Sequence, residues 1–149
     1  MIQRIQTIFL ILGIGLAIAF WFIPFGYAPI LDTVTHQSAL QAMKGIDFIG
    51  LIIPNAVSIL LMLITIFTYK NYKIQKLFGI LAGLSIVATI GVICYAVISP
   101  YVDSDPDVTI ATVWGGGGLF LVAALIADIA AYNYICKDQR LIRSYDRIR

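Results

Sequence analysis

A single acid, Asp128, interrupts the otherwise uncharged stretch 108–136 of this chain. A charge at the middle of a membrane helix costs about 2.5–3.5 kcal/mol on insertion scales, so it requires a partner, a wet cavity or a proton. Asp128 precedes Lys137 by nine residues, which puts it about 13 Å below that end of a helix rising 1.5 Å per residue. At the same depth other stretches carry Gly13, then Ser58 and Thr65, then Ser85 and Thr89. The expected site is an intramembrane polar cluster of Asp128, Ser85, Thr89, Ser58 and Thr65, in which hydroxyls from two helices converge on the carboxyl. No Lys or Arg stands at that level, and a buried carboxyl without a cation is held in its neutral form. Two readings stay open: a neutral Asp hydrogen-bonded to Ser or Thr as glue between helices, or a proton or cation site.

Other polar features point to less. Asp103, Asp105 and Asp107 have the spacing that opens a calcium loop, but Val108 replaces the required glycine and Trp114 the bidentate glutamate. A plain loop, with Asp105 capping a helix that starts at Pro106, is expected instead. His36 stands without a second His, a Cys or a Glu nearby, so no metal site is expected. The run Gly115–Gly118 lacks the Lys-Ser/Thr of a phosphate loop. It fits close helix packing, as Gly79-x-x-x-Gly83 does, or a local unwinding. Pro54 removes the bond to the carbonyl of Gly50, and Asn55 is expected to satisfy the freed groups at the kink. Cys94 and Cys136 fall near opposite ends of their stretches, about 25 Å apart in depth, too far for a disulfide. No nucleophile–base pair, zinc motif or paired carboxylate occurs, so neither an enzyme nor a cofactor is expected.

The elements that would position Asp128 follow from composition. Of the residues, 60% are hydrophobic and 12% charged, and glutamate is absent. Soluble domains run to about 45–50% apolar and about 25% charged, so this surface must face lipid. Four spans are expected, over about 5–26, 48–69, 77–99 and 113–136, each near the 20 residues that cross a bilayer. Backbone groups in lipid must pair within their own segment, so the spans are helices, and short connections favour antiparallel neighbours. The expected fold is an all-α membrane protein, a four-helix antiparallel transmembrane bundle over 1–136 with a basic amphipathic tail over 137–149. The N-terminal run resembles a signal peptide, but it continues through Phe20, Trp21, Phe22 and Ile23 and is expected to stay as a span. In the outer loop, Ser38 to Gly45 carries the cap, apolar pair and stop of a two-turn helix.

Charge placement gives an orientation. Arg4, Lys70, Lys73, Lys76, Lys137, Arg140, Arg143, Arg147 and Arg149 fall on one side of a four-span chain, and Lys44 alone on the other. The positive-inside rule then puts both termini in the cytoplasm. In the tail, Leu141, Ile142, Tyr145 and Ile148 share one helical arc and Arg140, Arg143 and Arg147 the opposite one, the shape of a helix lying along the inner leaflet. Lys70, Lys73, Lys76, Arg140, Arg143 and Arg147 are the expected contacts with anionic head groups, at about 1 kcal/mol each. A docking site for a cytosolic partner is the other reading of the tail.

The opening MIQRIQT, the turn FTYKNYKIQ at 67–75 and the ending KDQRLIRSYDRIR resemble the domain-of-unknown-function 4293 family of small bacterial membrane proteins. The resemblance covers both ends, the central turn and the four-span layout. It implies a bacterial inner-membrane protein and assigns no activity. The leading expectation is a structural or accessory protein with lipid, a membrane-protein partner or further copies of itself as its contacts, and no nucleic acid. The alternative is a small oligomeric transporter or channel that uses Asp128 as a proton or cation site.

Overall fold

The computed structural model describes residues 3–31, 38–69, 71–103 and 113–146. Four helices carry the fold: α1 (Gln3–Phe22), α2 (Ile49–Phe67), α3 (Tyr72–Asp103) and α4 (Gly117–Asp146). Each contains a segment long and apolar enough to cross a membrane, namely Ile5–Phe22, Ile49–Phe67, Tyr72–Tyr95 and Gly117–Leu141. The helices pack in a ring in which α1 touches α2 and α4, and α3 touches α2 and α4. The expected four-helix membrane bundle is therefore the architecture. Its surface carries the side chains that water would reject: Phe22, Leu60, Phe67, Leu84, Leu119 and Ile126 are all more than half exposed.

The buried positions explain the packing. They run Gln6, Leu10, Gly13, Ala17, Phe20 in α1 and Leu51, Asn55, Ser58, Met62, Thr65 in α2. In α3 they run Gln75, Gly79, Ala82, Ile86, Thr89, Ile93, and in α4 Gly117, Leu121, Ala124, Asp128, Ala131, Ile135, Asp138. The step alternates between three and four residues, and in α4 Ala127 beside Asp128 is buried as well. That is the heptad pattern, which favours shallow left-handed crossings of about 20°. Small residues on the seam let backbones approach: a Cβ on Gly13 would meet Met62 of α2 at 3.4 Å and the Ala124 carbonyl of α4 at 3.6 Å.

Helix ends have local causes. The Asn71 side chain accepts from the backbone N–H of Lys73 at 3.3 Å and starts α3. The Thr68 N–H closes α2 on the Ile64 carbonyl at 2.9 Å. No break separates 136 from 137: α4 runs on through the first ten residues of the basic tail, where a separate helix along the leaflet was expected. The physical reason is Asp138, which is buried and accepts a hydrogen bond from the Gln6 amide of α1. That bond holds the turn after Lys137 in the bundle.

One end of the bundle carries a feature the sequence did not announce. Strands β1 (Pro24–Leu31), β2 (Ser38–Lys44) and β3 (Val113–Trp114) form a small antiparallel sheet in the order β2-β1-β3. Ser38–Lys44, expected as a two-turn helix, is thus a strand, paired with β1 from Leu31↔Ser38 to Pro24↔Lys44. The ladder satisfies more backbone groups than two isolated helical turns would, since short helices leave four donors and four acceptors open. Pro24–Gly26, placed at the end of the first span, belongs to β1.

The glycine run resolves as a turn. The helix expected from Pro106 does not reach the glycines: Val113–Trp114 is strand, Gly116 is a turn and α4 begins at Gly117. Gly115 donates to the Phe25 carbonyl at 2.8 Å. A Cβ at Gly115 would stand 2.3 Å from the Pro24 carbonyl oxygen, and one at Gly117 2.6 Å from that of Ile23. Two of the four glycines therefore exist to bring α4 against the backbone that leaves α1. Residues 104–112, with Asp105, Asp107 and Pro106, lie outside the described residues, as does His36.

Candidate functional site

Two polar layers cross the seam. The first is at the end shared by the start of α1, the start of α3 and the end of α4. There the Gln6 amide donates to Asp138, the Lys76 ammonium to the side-chain carbonyl of Gln139, and the Gln75 amide to the Thr65 carbonyl at 3.4 Å. Gln6, Gln75 and Asp138 are all at least 95% buried. The oxygens Gln75 Oε1 and Asp138 Oδ1 are buried without a hydrogen-bond partner. Sequence reasoning missed this layer. The signal was present: Gln6 is four residues before Leu10 on the seam of α1, and Asp138 three after Ile135 on that of α4.

The second layer holds the expected cluster, and it does not assemble as expected. Ser85 donates to the Leu81 carbonyl at 3.0 Å, Thr89 to Ser85 at 2.9 Å and Thr65 to Leu61 at 2.8 Å. Ser58 donates to the Asn55 carbonyl at 2.7 Å and lies 3.3 Å from the Asn55 side-chain oxygen. Each hydroxyl thus spends its proton within its own helix, three or four residues back, the bond that Ser and Thr make most readily in lipid. None donates to Asp128. Asn55 also departs from expectation: its amide reaches across to the Ala17 carbonyl of α1 at 3.0 Å instead of repairing the break at Pro54.

Asp128 is 97% buried, and its Oδ1 has no hydrogen-bond partner. Across the helix pair stands Gly83 of α3, where a Cβ would be 3.0 Å from Oδ2. Asp128 lines a cavity of about 230 Å³ between α3 and α4, with Gly79, Ile80, Gly83, Leu84, Val87, Ile129 and Tyr132. The cavity opens on the flank of the bundle: Ile80, Leu84, Val87 and Ile129 are each about half exposed there. The bundle interior at this level is filled by Leu10, Met62, Ala82, Ile86, Leu121 and Ala124. A sequence reading that searched only for polar partners at equal depth could not see a groove walled by apolar side chains.

The basic residues divide in the same way. Lys73 and Arg140 are exposed, whereas Lys76 is bonded to Gln139. Arg143 continues α4, and Lys70 and Arg147 lie outside the described residues. Lys44, exposed, closes β2 at the opposite end. Cys94 and Cys136 are free thiols on α3 and α4.

Four apolar helices on a heptad seam, with an acid buried mid-span, define a multi-pass membrane protein. The chain belongs to the family described as Domain of unknown function (DUF4293), whose sequence pattern matches residues 2–148 and so nearly the whole chain. No curated protein matches it.

Proposed function

We infer that this is a protein of the bacterial cytoplasmic membrane, with both termini in the cytoplasm, that serves as a structural or accessory component for other membrane proteins. The observation that carries this reading is the direction in which Asp128 opens. A carrier or channel must expose its ion site to water on both sides of the membrane. Asp128 instead faces an apolar groove on the flank of the bundle, while Leu10, Met62, Ile86 and Leu121 fill the interior. Asn55, Ser58 and Thr89 on the seam are tied to their own helix or to a neighbour, which suits a rigid scaffold. The orientation is supported by the layer of Gln6, Lys76 and Asp138, which gathers the basic segments at one end, and by Lys44 at the other. Exposed Lys73 and Arg140 there suit contact with anionic head groups.

The test is flux. Purified protein in liposomes loaded with a pH-sensitive dye is expected to leave proton, sodium and potassium permeability at the level of empty liposomes, for the wild type and Asp128→Asn alike. The unpartnered Oδ1 of Asp128 favours the second reading, a proton site. Flux through the wild type that vanishes in Asp128→Asn would put that reading first. Orientation is checked by labelling intact cells with an impermeant maleimide, in a variant whose native cysteines are replaced. Lys44→Cys is expected to react from outside and Lys73→Cys only after lysis.

A further inference from the structure

We propose that the groove between α3 and α4 is the seat of a membrane-spanning helix from a different protein, and that this helix places a Lys or Arg side chain on Asp128. The proposal rests on the accessory reading and specifies the chemistry of the partner. Two independent features of the groove, its acid and its rim, agree on it. Among its lining residues is an acid that is almost wholly buried and has an oxygen with no donor. Gly79 and Gly83 of α3, four residues apart, face α4 of the same chain, where an added Cβ would meet Tyr132 and Asp128, so they draw the two helices together behind the groove. Its rim of Ile80, Leu84, Val87 and Ile129 is apolar and exposed, as a surface for another helix must be.

Among the described residues no side chain donates to Asp128 Oδ1. The hydroxyls of Ser85 and Thr89 are engaged with their own backbone. No Lys or Arg occurs between Arg4 and Lys44, between Lys44 and Lys70, or between Lys76 and Lys137. A second copy in symmetric contact would therefore bring only another acid to Asp128. A cation from a foreign helix completes the site, because intramembrane acids pair with bases when the pair is buried together. Small-molecule pockets run to about 300–1,000 Å³, and this cavity of about 230 Å³ is smaller. It accepts one long side chain better than a compact ligand.

The experiment uses the full chain in lipid vesicles with synthetic 23-residue Leu/Ala transmembrane peptides. The peptides differ at one central position, which is Lys, Arg, Leu or Asp. Energy transfer between labelled protein and peptide reads association. The Lys and Arg peptides are expected to bind at least tenfold more tightly than the Leu peptide, with Asp128→Asn removing most of that preference. Asp128→Lys is expected to reverse it, so that the Asp peptide binds best. Leu84→Trp, at the exposed rim of the groove and away from the carboxyl, is expected to weaken binding of the Lys and Arg peptides. Equal binding of the Leu and Lys peptides would overturn the proposal, leaving the groove to lipid chains. So would energy transfer between two copies of the protein that depends on Asp128, which would mark a homo-oligomer. The accessory reading is judged separately by the flux assay. Silent liposomes with no peptide preference overturn only the groove proposal, whereas flux through Asp128 overturns both.

Discussion

The side-chain amide of Asn55 in α2 donates to the backbone carbonyl of Ala17 in α1 at 3.0 Å, with Asn55 fully buried. That carbonyl also lies in a helix, so Asn55 adds a second bond to an acceptor already used by α1. The position matters because α1 and α2 share the smallest of the four interfaces around the ring. A polar tie contributes most where apolar contact is least.

Asn55→Ala is accordingly expected to destabilise the bundle by about 1–2 kcal/mol. Interhelical hydrogen bonds in membranes average about 0.6 kcal/mol with a maximum near 1.7, and the shortened side chain leaves a small void besides. Ser58→Ala removes only a bond within α2, so its cost should stay below about 1 kcal/mol. Reversible unfolding in mixed detergent micelles measures both, and equal costs would show that the contact with Ala17 contributes nothing.

The run Gly115–Gly118 should divide by position. At Gly115 and Gly117 a methyl would strike the backbone of Pro24 and Ile23 at 2.3 and 2.6 Å, and backbone cannot step aside as a flexible side chain can. Gly115→Ala and Gly117→Ala should each cost about 1–3 kcal/mol, the usual range for overpacking. At Gly116 and Gly118 nothing lies within 4 Å. Gly118→Ala, in the first turn of α4, should be neutral or gain up to about 1 kcal/mol from helix propensity. Thermal unfolding in detergent ranks the four.

The spans were legible because hydropathy reports the solvent directly, and a helix in lipid needs no further specification. The sheet was not. β1 carries Pro24 and Pro29, residues that argue against a strand unless it starts there or lacks a neighbour on one side. Both conditions hold: Pro24 opens β1, and β3 pairs only with Gly26 and Tyr27, so Pro29 lies beyond its reach. Those facts belong to the pairing of distant segments, which no local pattern in SALQAMK or PFGYAPIL encodes. The same limit explains the site. Asp128 is buried on the face of α4 that also carries Leu121, Ala124 and Ala131. Whether Ser85 and Thr89 would turn to it or to their own helix was a matter of rotamer, and the nearer carbonyls took them.

The bond between Gln6 and Asp138 should behave as a coupled pair. Gln6→Leu alone strands a buried carboxyl, and Asp138→Leu alone strands a buried amide, each at a desolvation cost of about 1–3 kcal/mol. The double variant strands neither, so it should be less destabilised than the sum of the two by about 0.5–3 kcal/mol, the range for residues in direct contact. Additive costs in a double-mutant cycle would show that the two side chains do not share a bond in the folded protein.

Gly83 and Gly45 offer the sharpest contrast, because each would place a new methyl against one neighbour of very different freedom. At Gly83 that neighbour is the Asp128 carboxyl at 3.0 Å, the end of a side chain beside an open cavity, which can rotate away. At Gly45 it is the Phe20 ring at 2.5 Å. That ring is wholly buried, tilted against Phe25 with centroids 6.1 Å apart, and Phe25 in turn meets Phe48 edge-on at 5.8 Å. Moving one ring displaces all three, and they join the end of α1 to β1 and to the start of α2. Gly83→Ala should therefore cost less than about 1 kcal/mol and Gly45→Ala about 1–3 kcal/mol. Unfolding of both variants in the same micelles decides it. A Gly83→Ala protein as unstable as Gly45→Ala would mean that the Asp128 carboxyl is fixed, with no room to swing into the groove.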